Sequence, residues 1–196
     1  MDFAIIGGTF NPVHLGHLIC SERAYLEFDL DKVIFMPAGN PPHKDDVINS
    51  AEHRYNMLKL AIVNNDHFEI SAWEIDQEEK SYTARTVKHF KEKYNVERVN
   101  LIIGTDSLAE IFNWYQPEYI LENTNLIVAK RNDYSFTKIM KDQRLRKYES
   151  HINILDNSLI EISSTMIRDF VKEDKSIRYL TPDKVIEYIN KNKLYR

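Results

Sequence analysis

The chain has 196 residues, a formal net charge of -4, 43% hydrophobic residues and 29% charged residues. This length can bury a substantial core, because a domain of about 150 residues removes roughly 70% of its unfolded surface from water. The negative charge argues against nucleic-acid binding through bulk electrostatics, and no apolar stretch has the length of a signal peptide or a membrane span. We therefore expect a cytoplasmic protein without nucleic-acid or membrane partners.

Short apolar runs alternate with segments of helical periodicity along the chain. The apolar runs predict strands at 3–6, 32–36, 68–73, 100–103, 125–129 and 152–155. The periodic segments predict helices at 15–28, 51–64, 84–94, 108–114 and 137–148, and two more helices between residues 162 and 196. This alternation predicts an α/β fold, a doubly wound parallel sheet with helices on both faces and a helical C-terminal segment. We expect one domain, with its core at 1–161 and the helical part at 162–196.

The first predicted strand ends in a glycine loop that contains two histidines, Gly7 to His17. Gly7 and Gly8 allow backbone N–H groups to approach a phosphate, and His14 and His17 are spaced to share one face of the helix that begins there. The loop has neither the G-x-G-x-x-G pattern nor the lysine of a P-loop. Histidine is therefore the local candidate for stabilising charge on a phosphate, and the segment predicts a nucleotide phosphate site.

The residues around the two histidines do not favour a metal site. No Cys or His cluster at metal-ligand spacing accompanies them, and we predict no protein-bound metal. The one cysteine, Cys20, excludes an intramolecular disulfide, and its place in an apolar helical pattern predicts simple packing.

Polar and cationic residues follow three other predicted strands, where ligands of parallel sheets bind. His43 and Lys44 come after the second strand and a stiff Pro41-Pro42 pair, which would hold the lysine near a phosphate. Gly104 and Asp106 follow the fourth strand, and the carboxylate could accept ribose hydroxyl protons. Arg131 follows the fifth strand as a further basic candidate. The sequence thus predicts one site assembled from several loops.

The C-terminal part contains a second candidate anion site at 162–168. Ser163 and Ser164 at a helix start leave first-turn N–H groups for an anion, and Arg168 adds positive charge one turn later. An ordinary helix N-cap is the alternative interpretation of the serines. Further on, Thr181 and Pro182 predict the N-cap and first residue of the last helix.

The run G-G-T-F-N-P-V-H-L-G-H at 7–17 resembles the signature of the H-x-G-H nucleotidyltransferases, and specifically of the bacterial nicotinate-mononucleotide adenylyltransferases. Matching segments are P-H-K at 42–44, S-Y-T-x-x-T at 81–86, G-x-D at 104–106 and I-S-S-T-x-I-R at 162–168. The resemblance implies a Rossmann-like fold. It also implies transfer of the AMP unit of ATP to nicotinate mononucleotide, giving nicotinate adenine dinucleotide and pyrophosphate, with Mg²⁺ bound mainly through ATP.

The resemblance also implies a role for individual residues. The catalytic residues would be His14, His17, Lys44 and Arg168. ATP would be bound by Gly7, Gly8, Thr9, Phe10, His14, His17, Gly104, Asp106, Arg131, Ile162, Ser163, Ser164 and Arg168. The acceptor nucleotide would be bound by Asn11, His43, Lys44, Thr83, Trp114 and Tyr115, with the pyridine ring against an aromatic side chain.

The sequence is also compatible with other functions. Phosphopantetheine adenylyltransferases share the glycine loop and the S-S-T-x-x-R run, but have aspartate at position 11 and usually threonine at position 14. An enzyme for nicotinamide mononucleotide is a closer alternative, and a nucleotide sensor without catalysis is another. A class I aminoacyl-tRNA synthetase is excluded because the chain has no K-M-S-K-S-like segment. Whether the protein forms a homo-oligomer is not indicated by the sequence.

Overall fold

The computed structural model describes residues 2–41, 49–130, 135–156 and 160–196. The strands are β1 (Phe3–Gly8), β2 (Lys32–Pro37), β3 (Phe68–Ile70), β4 (Val99–Gly104), β5 (Thr124–Ala129) and β6 (Ile152–Leu155). The helices are α1 (Leu15–Glu27), α2 (Ala51–Ile62), α3 (Thr83–Tyr94), α4 (Thr105–Ala109), α5 (Pro117–Asn123), α6 (Phe136–Ile139), α7 (Ser164–Lys172) and α8 (Asp183–Lys191). Short 3-10 helices lie at Ile111–Asn113 and Arg146–His151.

Within these described ranges, six parallel strands form one sheet in the order β3-β2-β1-β4-β5-β6. The chain starts in the middle of the sheet, extends it to one side through β3, and then crosses over to β4 on the other side of β1. The carboxyl ends of β1 and β4 therefore form the topological switch point, where ligands bind in folds of this class. The predicted doubly wound parallel sheet is confirmed.

Both faces of the sheet are covered, because side chains on a strand alternate between two faces and both sets are apolar here. Ala4 and Ile6 of β1 join one buried cluster, together with residues of α1, α2, α7 and α8. Phe3 and Ile5 join the other cluster, together with residues of α3, α4 and α5. The helical C-terminal part thus packs on the same face as α1, the helix that carries His17.

Some predicted boundaries are wrong. Strand β3 ends at Ile70 instead of residue 73, because the chain turns at Ala72, whose carbonyl accepts the N–H of Ile75 at 2.8 Å. The helix predicted at 108–114 is divided between α4 and a 3-10 turn. Helix α5 was not predicted, although its first residue is Pro117, a residue type favoured at that position.

The helix predicted at 137–148 is also wrong. Helix α6 ends at Ile139, and the chain continues in turns to the 3-10 helix at Arg146–His151. The Asp142 carboxylate accepts the backbone N–H of Arg144 at 2.9 Å, an Asx-type turn that competes with helix formation. Arg144 in turn places its guanidinium 4.0 Å from the centre of the Phe112 ring. A local polar side chain therefore overrides the helical periodicity of this segment.

The two predicted C-terminal helices are confirmed as α7 and α8, but the N-cap predicted at Thr181 is wrong by one residue. Helix α8 begins at Asp183 with Pro182 at the N-cap position. The Thr181 hydroxyl instead donates to the carbonyl of Val13 at 2.8 Å. A tertiary contact thus takes the side chain that the local pattern assigned to a cap. In the part of the chain that the structure describes, no helix combines the length and the apolar character needed to cross a membrane.

Candidate active site

A cavity of about 310 Å³ opens at the carboxyl ends of β1 and β4, at the switch point of the sheet. Glycines and two histidines from the loop after β1 line one side of it. The end of β4, the start of α3 and the segment before α7 line the other sides. Ten of the predicted site residues line this cavity: Gly7, Gly8, Thr9, His14, His17, Thr83, Gly104, Asp106, Trp114 and Ile162. The structure therefore brings together segments that are far apart in sequence.

The two histidines lie against each other at the start of α1. His14 occupies the N-cap position and His17 the third helical position, and their ring centroids are 3.7 Å apart. The backbone N–H of His14 donates to Nδ1 of His17 at 3.2 Å. Because a backbone N–H can only donate, Nδ1 acts as an acceptor, and the neutral ring then has its hydrogen on Nε2. His17 is thus oriented as a donor through Nε2.

The side chain of Phe10 packs against His17. Its backbone has φ of 50°, a left-handed conformation that costs a non-glycine residue of order 1–3 kcal/mol. Its buried ring packs edge-on against the His17 ring, with the ring centroids 4.9 Å apart, and its centroid lies 5.9 Å from that of Phe35. Packing of the ring compensates for the strained turn. Phe10 does not belong to the described cavity lining, and its assignment to ATP stays a prediction.

The loop before α1 is held through its carbonyl groups. The carbonyls of Thr9, Asn11, Pro12 and Val13 each accept a hydrogen bond from a side chain that is distant in sequence. The donors are Arg54 at 2.9 Å, Arg168 at 2.9 Å, Ser164 at 2.8 Å and Thr181 at 2.8 Å, in that order. Three of these donors come from the C-terminal part. The position of the histidine loop therefore depends on the docking of that part.

Arg54 of α2 is the donor that the sequence analysis missed. Its side chain is 1% exposed and donates to the carbonyls of Asn49, Thr9 and Gly39. Burial lowers the pKa of Arg54, but a guanidinium stays charged in proteins. The available signal was an arginine on the apolar face of a helix, three and four residues before Met57 and Leu58. A cation there needs buried partners.

Glu74 is a second buried group that the sequence analysis missed. Its carboxylate accepts the hydroxyl of Thr86, and burial raises the pKa of Glu74. Ser81, another hydrogen-bond partner of Glu74, accepts the N–H of Gly39 at 2.9 Å. A Cβ on Gly39 would lie 2.1 Å from the Glu74 carbonyl oxygen, so only glycine fits there. The loop after β2 is thereby tied to the start of α3.

Trp114 and Thr83 form the cavity side opposite the histidine loop. Trp114 is half-buried and packs against the core formed by α3, α4 and α5 while it lines the cavity. Thr83 is the first residue of α3. Tyr115 is 46% exposed, and its ring lies 4.7 Å from that of Tyr82. Tyr115 is not part of the described cavity lining.

The start of α7 contains both the cap and the basic residue that the sequence predicts. Ser163 is the N-cap and accepts the N–H of Met166 at 3.1 Å. Arg168 donates to Asn11 and to the Thr165 hydroxyl at 3.0 Å. The ordinary capping interpretation of Ser163 is therefore correct, and a role of this turn in holding ATP phosphates stays a prediction.

Other predicted residues have different positions. His43, Lys44 and Arg131 lie outside the described residues. Asn11 is 5% exposed, and its Oδ1 accepts the hydroxyl of Tyr195 at 2.9 Å. Cys20 packs partly against the core as predicted, and it also lines the cavity. In the described part of the chain, no group of three or more His, Cys, Asp or Glu residues is arranged to hold a metal ion.

Comparisons with known proteins agree with this arrangement. The model of the cytidylyltransferase-like family matches residues 5–170. A probable nicotinate-nucleotide adenylyltransferase of Caldicellulosiruptor bescii is 42% identical over 198 residues, covering 100% of both chains. One of Clostridium novyi is 40% identical and covers 98% of both chains. The solved nicotinic acid mononucleotide adenylyltransferase of Plasmodium falciparum, complexed with NaAD, has a TM-score of 0.82 at 19% identity, covering 98% of this chain and 96% of that chain. This structure shares the fold.

Proposed function

The chain belongs to the cytidylyltransferase-like family and, within it, to the nicotinate-nucleotide adenylyltransferases, and on this premise we propose that it transfers the AMP unit of ATP to nicotinate mononucleotide. The products are nicotinate adenine dinucleotide and pyrophosphate, in NAD biosynthesis. The observation that supports this best is the pair of stacked histidines at the switch-point cavity, with Nε2 of His17 as the donor. We place the reaction in the cytoplasm.

In the proposed reaction, an oxygen of the acceptor phosphate attacks the α-phosphorus of ATP. The bond from this phosphorus to the α,β-bridging oxygen breaks, and the electron pair leaves with pyrophosphate. No protein group needs to form a covalent intermediate, so catalysis consists of positioning and charge stabilisation. His17 donates from Nε2 to an oxygen whose negative charge grows in the transition state, and the stacked His14 supports its ring.

MgATP is the form of the nucleotide that we propose as substrate. Asp106 and Glu74 are the carboxylates that line the described cavity, and one carboxylate oxygen of Glu74 accepts the hydroxyl of Thr86. Because the described residues contain no group of three or more potential metal ligands, the phosphate oxygens and water would hold the ion. When bound, the ion would neutralise charge on the triphosphate, and side chains and backbone N–H groups of the protein would position the substrates and donate to them.

The two substrates would occupy different sides of the cavity. Gly7, Gly8 and Thr9 would lie against the ATP phosphates, and Gly104 with Asp106 would contact the adenosine ribose. Ile162 lines this part of the cavity as well. The pyridine ring would stack on Trp114, with Thr83 beside it. The predicted roles of Lys44, His43 and Arg131, and those of Ser163, Ser164, Arg168 and Tyr115, remain part of this proposal.

The test is pyrophosphate release with MgATP and one of three acceptors: nicotinate mononucleotide, nicotinamide mononucleotide or phosphopantetheine. Mass spectrometry identifies each product. We expect the highest kcat/KM with nicotinate mononucleotide and a product of the mass of nicotinate adenine dinucleotide. Turnover of another acceptor alone would contradict the proposed substrate. No pyrophosphate with any acceptor, together with retained ATP binding, would instead indicate a nucleotide-binding protein.

A further inference from the structure

Tyr195, the residue before the C-terminal Arg196, reaches the histidine loop from the far end of the chain. Its side chain is buried, and its hydroxyl donates to Oδ1 of Asn11 at 2.9 Å across a separation of 184 residues. Asn11 is itself buried and lies three residues before His14. The last residues of the chain are therefore in direct hydrogen-bond contact with the loop that holds the candidate catalytic pair.

The backbone near Tyr195 indicates that tertiary contacts hold this residue in place. Lys193 and Tyr195 have backbone φ angles of 51° and 65°, left-handed values that residues other than glycine rarely adopt. Without contacts to the rest of the fold, residues in such a conformation would relax. Leu194, between them, is buried in the same core cluster as Val185 and Ile189 of α8. The segment after α8 is thus folded against the core, with the Tyr195 hydroxyl directed at Asn11.

Asn11 is held from two sides by the C-terminal part. Its carbonyl accepts from Arg168 at 2.9 Å, and its side chain accepts from Tyr195. Burial raises the pKa of Tyr195 to about 12, so the hydroxyl keeps its hydrogen and donates throughout the neutral pH range. A residue held through both its backbone and its side chain has little freedom, and its position determines where the following residues begin α1.

We propose that Tyr195 is a positioning residue that acts through Asn11 to hold the loop of His14 and His17 in the geometry required for transfer of the AMP unit. This inference rests on the proposed function for its catalytic consequence. The structural part, that the hydroxyl restrains the loop, does not depend on which acceptor is used. Tyr195 does not line the described cavity, so it acts through the loop instead of touching substrate.

The test is Tyr195→Phe, which removes only the hydroxyl and keeps the buried ring. The matched control is Tyr188→Phe on α8, whose hydroxyl lies 3.0 Å from His53 and 3.2 Å from Asn56, away from the loop. We expect Tyr195→Phe to lower kcat by roughly 10-fold, because a small displacement of catalytic groups is costly, while KM for MgATP stays within about threefold. Tyr188→Phe should change kcat by less than about twofold.

Hydrogen exchange followed by mass spectrometry provides a readout independent of activity. We expect faster amide exchange in peptides covering residues 9–17 of Tyr195→Phe and unchanged exchange there in Tyr188→Phe. Exchange that accelerates evenly along the chain would show global destabilisation and overturn the proposal. If wild-type protein makes no dinucleotide, the proposed function fails, and the exchange experiment still decides whether Tyr195 restrains the loop.

Variants of Asn11 complete the test. Asn11→Asp keeps an oxygen acceptor for the Tyr195 hydroxyl, whereas Asn11→Leu removes it. If Tyr195 acts through Asn11, Tyr195→Phe should add no further loss of kcat in the Asn11→Leu background, and Asn11→Asp should retain more activity than Asn11→Leu. Additive losses in the double variant, or unchanged kcat in Tyr195→Phe, would contradict the proposal.

Discussion

The two sides of the switch-point cavity are held by different interactions. The loop at 9–17 is bound by buried and partly buried side chains, with hydrogen bonds to four of its carbonyls and a fifth to the side chain of Asn11. The opposite side is formed by Thr83 and by Trp114, which packs against the core and is only half-buried. Directional bonds fix the side proposed for chemistry, and packing forms the side proposed for recognition of the acceptor.

This difference has a physical basis. A hydrogen bond to a buried carbonyl is sensitive to small displacements, so several of them define a position closely. Aromatic packing tolerates shifts and changes of partner at low cost, and a ring can still stack on a ligand after such a shift. We expect substitutions on the loop side to act on stability or kcat, and substitutions on the Trp114 side to act on KM for the acceptor.

The largest expected effect is that of Arg54→Met. This change leaves three carbonyls, those of Thr9, Gly39 and Asn49, without their donor. We expect a loss of about 3 kcal/mol in the free energy of unfolding, which corresponds to a fall in Tm of roughly 9 °C, together with loss of activity. Thermal unfolding followed by circular dichroism measures the first and pyrophosphate release the second.

Arg54→Lys is the control for this experiment. It keeps a positive charge but cannot reproduce three donors in a planar arrangement, so an intermediate Tm is expected. A Tm for Arg54→Met equal to that of the wild type would show that the carbonyls find other partners. The loop at 9–17 would then be held by packing instead of hydrogen bonds, like the side of the cavity that contains Trp114.

His17→Ala should reduce kcat by about 100-fold or more, equivalent to about 2.7 kcal/mol, while ATP binding stays within a few-fold. The reason is that, in the proposed mechanism, the Nε2 donor of His17 interacts mainly with the transition state. Steady-state kinetics and calorimetric titration with a non-hydrolysable ATP analogue separate the two quantities. Weakened ATP binding with unchanged kcat at saturation would make His17 a binding residue instead.

Trp114→Ala has the smallest expected effect, on the side held by packing. We expect KM for nicotinate mononucleotide to rise by roughly 5- to 10-fold, from the loss of about 1 kcal/mol of stacking, with KM for MgATP unchanged. Trp114→Phe keeps an aromatic ring, so its KM for nicotinate mononucleotide should lie between those of the wild type and Trp114→Ala. An unchanged acceptor KM in Trp114→Ala, with a lowered Tm, would assign Trp114 to the core alone.

Much of the fold and the central part of the candidate site could be predicted because the signals are local. Apolar runs alternating with helical periodicity indicated the strand–helix order, and the strands at β5 and β6 were found to within one residue at each end. The contiguous run from Gly7 to His17 placed the histidines at the start of α1, where the structure has them. Each of these signals lies within one element or one loop.

Other features followed from contacts that local patterns do not contain. The segment at 137–148 has helical periodicity but turns at Asp142, and Thr181 caps no helix because its hydroxyl is bound to Val13. Arg54 appeared as one more charged residue of a helix. The structure shows its role, because its guanidinium donates to the carbonyls of Thr9 and Gly39 in the loops after β1 and β2.

The sequence by itself determined the order of strands and helices and the residues offered to a phosphate, because periodicity and turn chemistry act over a few neighbours. Only the tertiary structure decided which side chains hold those residues in place. The bond from Tyr195 to Asn11 spans 184 residues, and those from Arg168 and Arg54 to the loop span 157 and 45. Such distant partners are brought together only by the packing of the helices on the sheet. Many donor side chains could form a hydrogen bond with a given carbonyl, and the packing of the folded chain determines which of them does.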